Sequence, residues 1–247
     1  MNSEVLALLL PAALTGILVL STHVPLGQIV LSRGILFVDL AIAQVAGLGV
    51  VTAEIAGWEA HGWTIQVTAL AAALAAALLL VWTDRRLPHL QEAIIGVVFV
   101  TAAAAEILLL SLSPHGAEHL KDLLAGQILW VTPEALIVPA ILYAAILAAW
   151  RWLRLRERPL AFYGVFALVV TASVQLVGVL LVFASLVVPA LWSRSRPAPA
   201  YAIGAAGYAA GLAVSFIADL PTGAAIVCGL VGVTGAMALV RQVVLRQ

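Results

Sequence analysis

Long apolar runs, each about the length of a membrane-spanning helix and separated by short polar stretches, dominate the chain. They are Val5–Leu20, Gly34–Ala53, Trp63–Trp82, Ala93–Leu112, Ile128–Trp150, Tyr201–Ala218 and Thr222–Val240. A bilayer core of about 30 Å takes roughly 20 residues in a helix. Each run therefore predicts a transmembrane helix, the first borrowing residues at its ends. The segment Leu160–Leu191 is too long for one ordinary span and too short for two full ones, and Thr171, Ser173, Gln175 and Gly178 interrupt it. It predicts a broken helix pair folded back on itself, or a deep re-entrant hairpin. Broken helices are tolerated at membrane depth only where protein or a cavity satisfies the freed backbone groups. The expected fold class is all-α integral membrane: a polytopic bundle of about eight to nine spans, forming one transmembrane domain over residues 1–247.

Composition agrees with this pattern. Hydrophobic residues make up 64% of the 247 and charged residues 10%, against about 25% charged in an ordinary soluble domain. There is too little polar surface to cover a water-soluble core of this size. Arginines fall in five places: Arg33; Arg85 and Arg86; Arg151, Arg154, Arg156 and Arg158; Arg194 and Arg196; Arg241 and Arg246. If Leu160–Leu191 crosses twice, all five lie on one side, as the positive-inside bias requires. That gives nine crossings with the C-terminus inside, and Lys121 is then the only base on the outer side. The first run lacks a basic n-region and a small-residue cleavage site, so it reads as a retained span and not a signal peptide. Loops are short throughout, with no room for a catalytic domain outside the membrane. No G-x-x-x-x-G-K phosphate loop is present, so nucleotide hydrolysis is expected on a separate chain.

Ionisable groups within apolar runs mark function by default, because burying a charge in a bilayer is costly. Asp39 lies in Gly34–Ala53, with Gln44 five residues on, and Glu106 lies in Ala93–Leu112. Asp39 reads either as a pathway group or as a buried structural hydrogen bond. Glu106 reads as a pathway group or as a residue near the outer interface. The pentapeptide His115-Gly116-Ala117-Glu118-His119 has the H-x-x-E-H spacing of inverted zinc proteases. On a helix, its two histidines would share one face and could ligate zinc. Ser113-Pro114 and Gly116 disfavour such a helix, and no convincing third ligand follows. A metal-gathering outer loop and a plain solvated loop are the other readings. Asp219 reads as an N-terminal cap of the last helix, and Cys228 as a small buried residue. The glycine and alanine runs Ala71–Ala77, Gly204–Gly211 and Gly229–Gly235 read as close-packing faces.

Three stretches resemble the ABC-3 family of metal-ion ABC transporter permeases: Leu31–Gly49, Glu118–Thr132 and Gln175–Ala190. Asp219–Cys228 is similar to the start of the family's last helix. The stretches occur in the family's order across nearly the whole chain. The resemblance implies a homodimeric pore or a pairing with a sister permease, in the lipid of the cell (inner) membrane. It also implies a cytoplasmic ATPase and an extracytoplasmic metal-binding protein. Many family members carry an aspartate and a histidine four apart in the second span. Here Asp39 matches the aspartate, but Ala43 stands four on; a shift of one puts Gln44 at the histidine and Leu40 at the aspartate. The family also has a longer cytoplasmic helix where this chain has only the segment Arg151–Pro159. Arg151, Arg154, Arg156 and Arg158 there read as ATPase contacts or as a solvated inner anchor.

The function expected is the permease subunit of an importer of divalent transition-metal ions, zinc or manganese in type. Its cargo is the metal ion, and no tightly bound cofactor is expected. The alternatives are an intramembrane metalloprotease using His115, Glu118 and His119, and a stand-alone secondary transporter. The inverted repeats of matched broken helices that a secondary transporter requires are not visible in the sequence.

Overall fold

The computed structural model describes residues 3–57, 63–110 and 128–244. Among these residues are nine α-helices: α1 (Ser3–Arg33), α2 (Val38–Ile55), α3 (Trp63–Arg86), α4 (Gln91–Leu110), α5 (Pro133–Leu153), α6 (Pro159–Val177), α7 (Val179–Trp192), α8 (Pro197–Ala218) and α9 (Thr222–Val244). Short 3-10 turns precede α4 at Pro88–Leu90 and α5 at Ile128–Trp130. Eight helices are long and apolar enough to cross a bilayer; α7, at 14 residues, is the exception. At 1.5 Å per residue α7 is about 21 Å long, short of the hydrocarbon thickness.

Tryptophans mark the span ends. On α3, the exposed Trp63 and Trp82 stand about 28 Å apart along the axis, matching the interfacial positions that aromatic belts occupy. Arg85 and Arg86 follow just beyond, in the last turn.

The chain divides into two compact units. Residues 1–32, 125–143 and 176–247 form the first, which holds α1, the beginning of α5, and α7 to α9. Small residues let its helices approach closely. A Cβ at Gly207 would lie 2.6 Å from the Leu230 side chain, and one at Gly229 would lie 2.6 Å from the Gly207 carbonyl. On α1, Gly16 faces the Tyr208 ring, Leu20 fills the notch at Gly204, and Gly27 abuts the Leu186 carbonyl. Pro25 lies within α1 and has no N–H for the carbonyl four residues back. That carbonyl, on Ser21, instead accepts a hydrogen bond from the Tyr201 hydroxyl at 2.9 Å. The Ser185 and Tyr208 hydroxyls, 2.8 Å apart, join α7 to α8.

The second unit comprises residues 33–124 and 144–175. Its α2 packs on α3 where Gly49 meets Ala72, and on α4 where Gly47 meets Glu106. Gln91 ties three helices together. Its carbonyl accepts from Thr83 at 2.8 Å, and its amide donates to the Leu80 carbonyl at 3.1 Å and the Tyr163 hydroxyl at 2.9 Å. All three side chains in this network are buried, so their polar groups require partners inside the protein.

Several expectations are corrected here. The first helix does not stop at Leu20 but runs to Arg33; Tyr201 satisfies the carbonyl that Pro25 frees, so the helix continues through the polar stretch Ser21–His23. The polar residues Thr171–Gln175 do not break α6. The break falls at Gly178, with φ 78° and ψ 162°, a conformation open essentially to glycine alone. Asp219 does not cap the last helix. It ends α8 in the left-handed conformation, φ 51°, which a short polar side chain tolerates better than most. Cys228 is exposed, not buried. The loop between α5 and α6 is only residues 154–158, because α5 continues to Leu153.

Candidate functional site

In the second unit, Asp39 occupies the first turn of α2 and is 1% exposed. The nearest donors are the N–H groups of Asp39 itself and Leu40. Neither carboxylate oxygen reaches hydrogen-bond geometry with any group. The helix N-terminus favours a negative charge by its dipole, but no side chain of the described residues donates to these oxygens.

Glu106 is 2% exposed on α4, and its Oε1 has no hydrogen-bond partner. Only a glycine at position 47 makes room for it, since a Cβ there would lie 2.7 Å from Oε1. Gly47 is eight residues beyond Asp39, or about 12 Å along α2. The Asp39 side chain also leans toward the helix N-terminus, away from Gly47. The two carboxylates are therefore separate groups on one helix pair and do not form one cage. Thr171 Oγ1 on α6 is another buried atom without a partner.

Gln44 is buried, but five residues from Asp39 puts it about 140° around the helix. The two side chains therefore do not share a face. Ala43, which does share the Asp39 face, is 2% exposed and offers no ligand atom. Among the described residues, no three His, Cys, Asp or Glu side chains gather into a metal-binding group. His115, Glu118 and His119 lie outside the described residues.

Around the loop of residues 154–158, Arg154, Arg156 and Arg158 are exposed. Arg154 takes a positive φ and pairs with Glu157. The Arg158 amide and the Glu157 amide both donate to the Arg154 carbonyl, making a tight turn and not a helix.

Sequence reading missed two groups. Glu92, at the start of α4, has its carboxylate beside the Leu36 and Phe37 backbone N–H groups in the turn between α1 and α2. Nothing in the sequence shows this, because the partners are backbone atoms. His23, in the first unit, is fully buried within α1; it was missed because the expected span ended at Leu20. A histidine amid an apolar stretch, two residues before a proline, was the available signal.

Residues 5–159 and 153–240 match the ABC 3 transport family. The chain belongs to the ABC-3 family. It is a multi-pass cell-membrane permease of the metal-ion class of ABC transporters. Its fold is similar to that of PsaBC from Streptococcus pneumoniae in complex with Fab, with a TM-score of 0.74 and 21% identity over 95% of this chain and 94% of that one. Within this ABC-3 permease, the second span carries a carboxylate without the histidine expected four residues on, and the loop at 154–158 has no room for a helix.

Proposed function

We propose that this ABC-3 permease forms the path and gate of an importer for divalent transition-metal ions. A separate cytoplasmic ATPase powers it and an extracytoplasmic metal-binding protein loads it. Asp39 carries the reading: a carboxylate fully buried within a span, with both oxygens lacking a hydrogen-bond partner. Such a group is costly unless a cation, water or proton meets it. Glu106 offers a second carboxylate deeper on the same helix pair. Oxygen ligands of this kind suit manganese and other hard ions, whereas imidazole suits zinc. The pore is completed by a second copy of the chain or by a sister permease.

The test is radiolabelled zinc and manganese uptake by cells stripped of their own importers. The cells express the chain with its ATPase and binding protein. Uptake that depends on ATP hydrolysis and on Asp39 supports the reading. Accumulation of neither ion with all three proteins present counts against it.

A further inference from the structure

The imidazole of His23 is buried in α1, and its two ring nitrogens are in different situations. Nδ1 lies 2.9 Å from the Val19 carbonyl, one turn back. A carbonyl only accepts, so Nδ1 carries the proton. Thr22 Oγ1, 3.3 Å from Nδ1, is compatible with the same tautomer. Nε2 is left with a bare lone pair. It is shut off from solvent and no group donates to it. This is the state of a histidine prepared for a metal: one nitrogen held by a backbone carbonyl, the other free to coordinate.

The helix register places this lone pair. Gly16, Leu20, His23 and Gly27 fall on one stripe of α1 at spacings of four, three and four. In the first unit, Gly16 meets Tyr208, Leu20 meets Gly204, and Gly27 meets the Leu186 carbonyl. His23 therefore sits on the seam where α1 packs against α7 and α8. The seam holds no other titratable group with an orphan atom among the described residues. Next to it, Pro25 leaves the Ser21 carbonyl to Tyr201, so this turn of α1 is held by a side chain of α8 and not by its own ladder.

We propose that His23 Nε2 is a ligand for the transported ion, supplying from the first span an imidazole for a zinc-type cation. This rests on the metal-import reading and adds a residue and a selectivity to it. The lone pair meets the ion when the α1 seam parts from α7 and α8 during the transport cycle.

The test is zinc and manganese uptake by the full transporter carrying His23→Asn or His23→Gln. Asparagine keeps a donor at the Nδ1 position for Val19 but has nothing at the Nε2 position. Glutamine places an amide oxygen or nitrogen there. His23→Asn should raise the zinc half-saturation concentration on the order of 10–100-fold and leave manganese nearly unchanged. His23→Gln should shift preference toward manganese, because an amide oxygen is the harder ligand. Unchanged zinc and manganese kinetics in His23→Asn would show that only the Val19 bond matters and overturn the proposal. Failure of the unaltered transporter to move either ion would instead overturn the import reading, and this inference with it. Should either variant misassemble, His23→Cys in a Cys228→Ser background supplies an independent measure. A small thiol reagent should modify it during ATP turnover, with zinc protecting. A cysteine never modified during turnover would also overturn the proposal.

Discussion

The Arg33 guanidinium donates through Nη2 to the Leu155 carbonyl at 3.0 Å, tying the end of α1 to the loop between α5 and α6. The same nitrogen reaches the Arg156 carbonyl at 3.3 Å. The group lies 4.5 Å above the Phe162 ring, and an Asp84 carboxylate oxygen stands 3.8 Å from its Nη1. One planar cation thus fixes the backbone of a short turn whose charged side chains are exposed. Lysine keeps the charge but cannot reproduce the stacked, forked contact. Arg33→Lys is expected to cost about 1–3 kcal/mol of stability and to lower metal moved per ATP hydrolysed. Detergent unfolding and coupled transport assays check the two parts separately. Normal coupling in a destabilised Arg33→Lys protein would detach the loop from ATPase contact.

Asp39→Asn keeps the size of the side chain and removes the charge. Uptake is expected to fall on the order of tenfold or more, the scale on which metal sites respond to lost ligand character. Insertion and assembly should be unaffected, because no hydrogen bond is lost. An Asp39→Asn transporter working at the normal rate would assign Asp39 to packing.

Gly47 and Glu106 should behave as a coupled pair. A methyl group at Gly47 would lie 2.7 Å from Glu106 Oε1, so Gly47→Ala should destabilise by about 1–3 kcal/mol through overpacking. With Glu106→Ala the methyl group has room, and the double variant should recover part of the loss. A coupling energy of about 0.5–3 kcal/mol is expected in the double-mutant cycle. Gly232→Ala is the control, since its Cβ would meet nothing within 4 Å. Strict additivity of the two changes would rule out the contact.

The arginine-bearing loops are expected on the cytoplasmic side and Lys121 on the outer side. Ser195 lies in the exposed turn between α7 and α8. A single cysteine there, in the Cys228→Ser background that removes the exposed native thiol, should react with an impermeant reagent only from inside. Labelling only from outside would sink the nine-crossing arrangement and leave eight crossings, with Leu160–Leu191 counted once.

Among the described residues, the nine helices, the membrane setting and the glycine seam of α8 were legible in the sequence. Length of apolar run and spacing of small residues are local properties, and the bilayer imposes the same length on every span. That the region is broken was also readable, with Gly178 among the four interrupting residues, but not that Gly178 alone makes the break. Thr171 to Gln175 are polar yet helical, whereas a positive φ confines the break to the one position without a Cβ. The tertiary structure alone decided what each buried polar group meets. Asp39 and Gln44 are close in sequence but lie on different sides of one helix. Asp39 and Glu106, which share a helix pair, stand apart from each other. Glu92 and Arg33 find backbone carbonyls and N–H groups, which have no side-chain signature. His23 lies beyond the expected end of its span because Tyr201, 180 residues away in the chain from Ser21, satisfies the carbonyl that Pro25 frees. Satisfaction of a buried polar atom depends on which other elements pack against it, and no window along the chain contains that information.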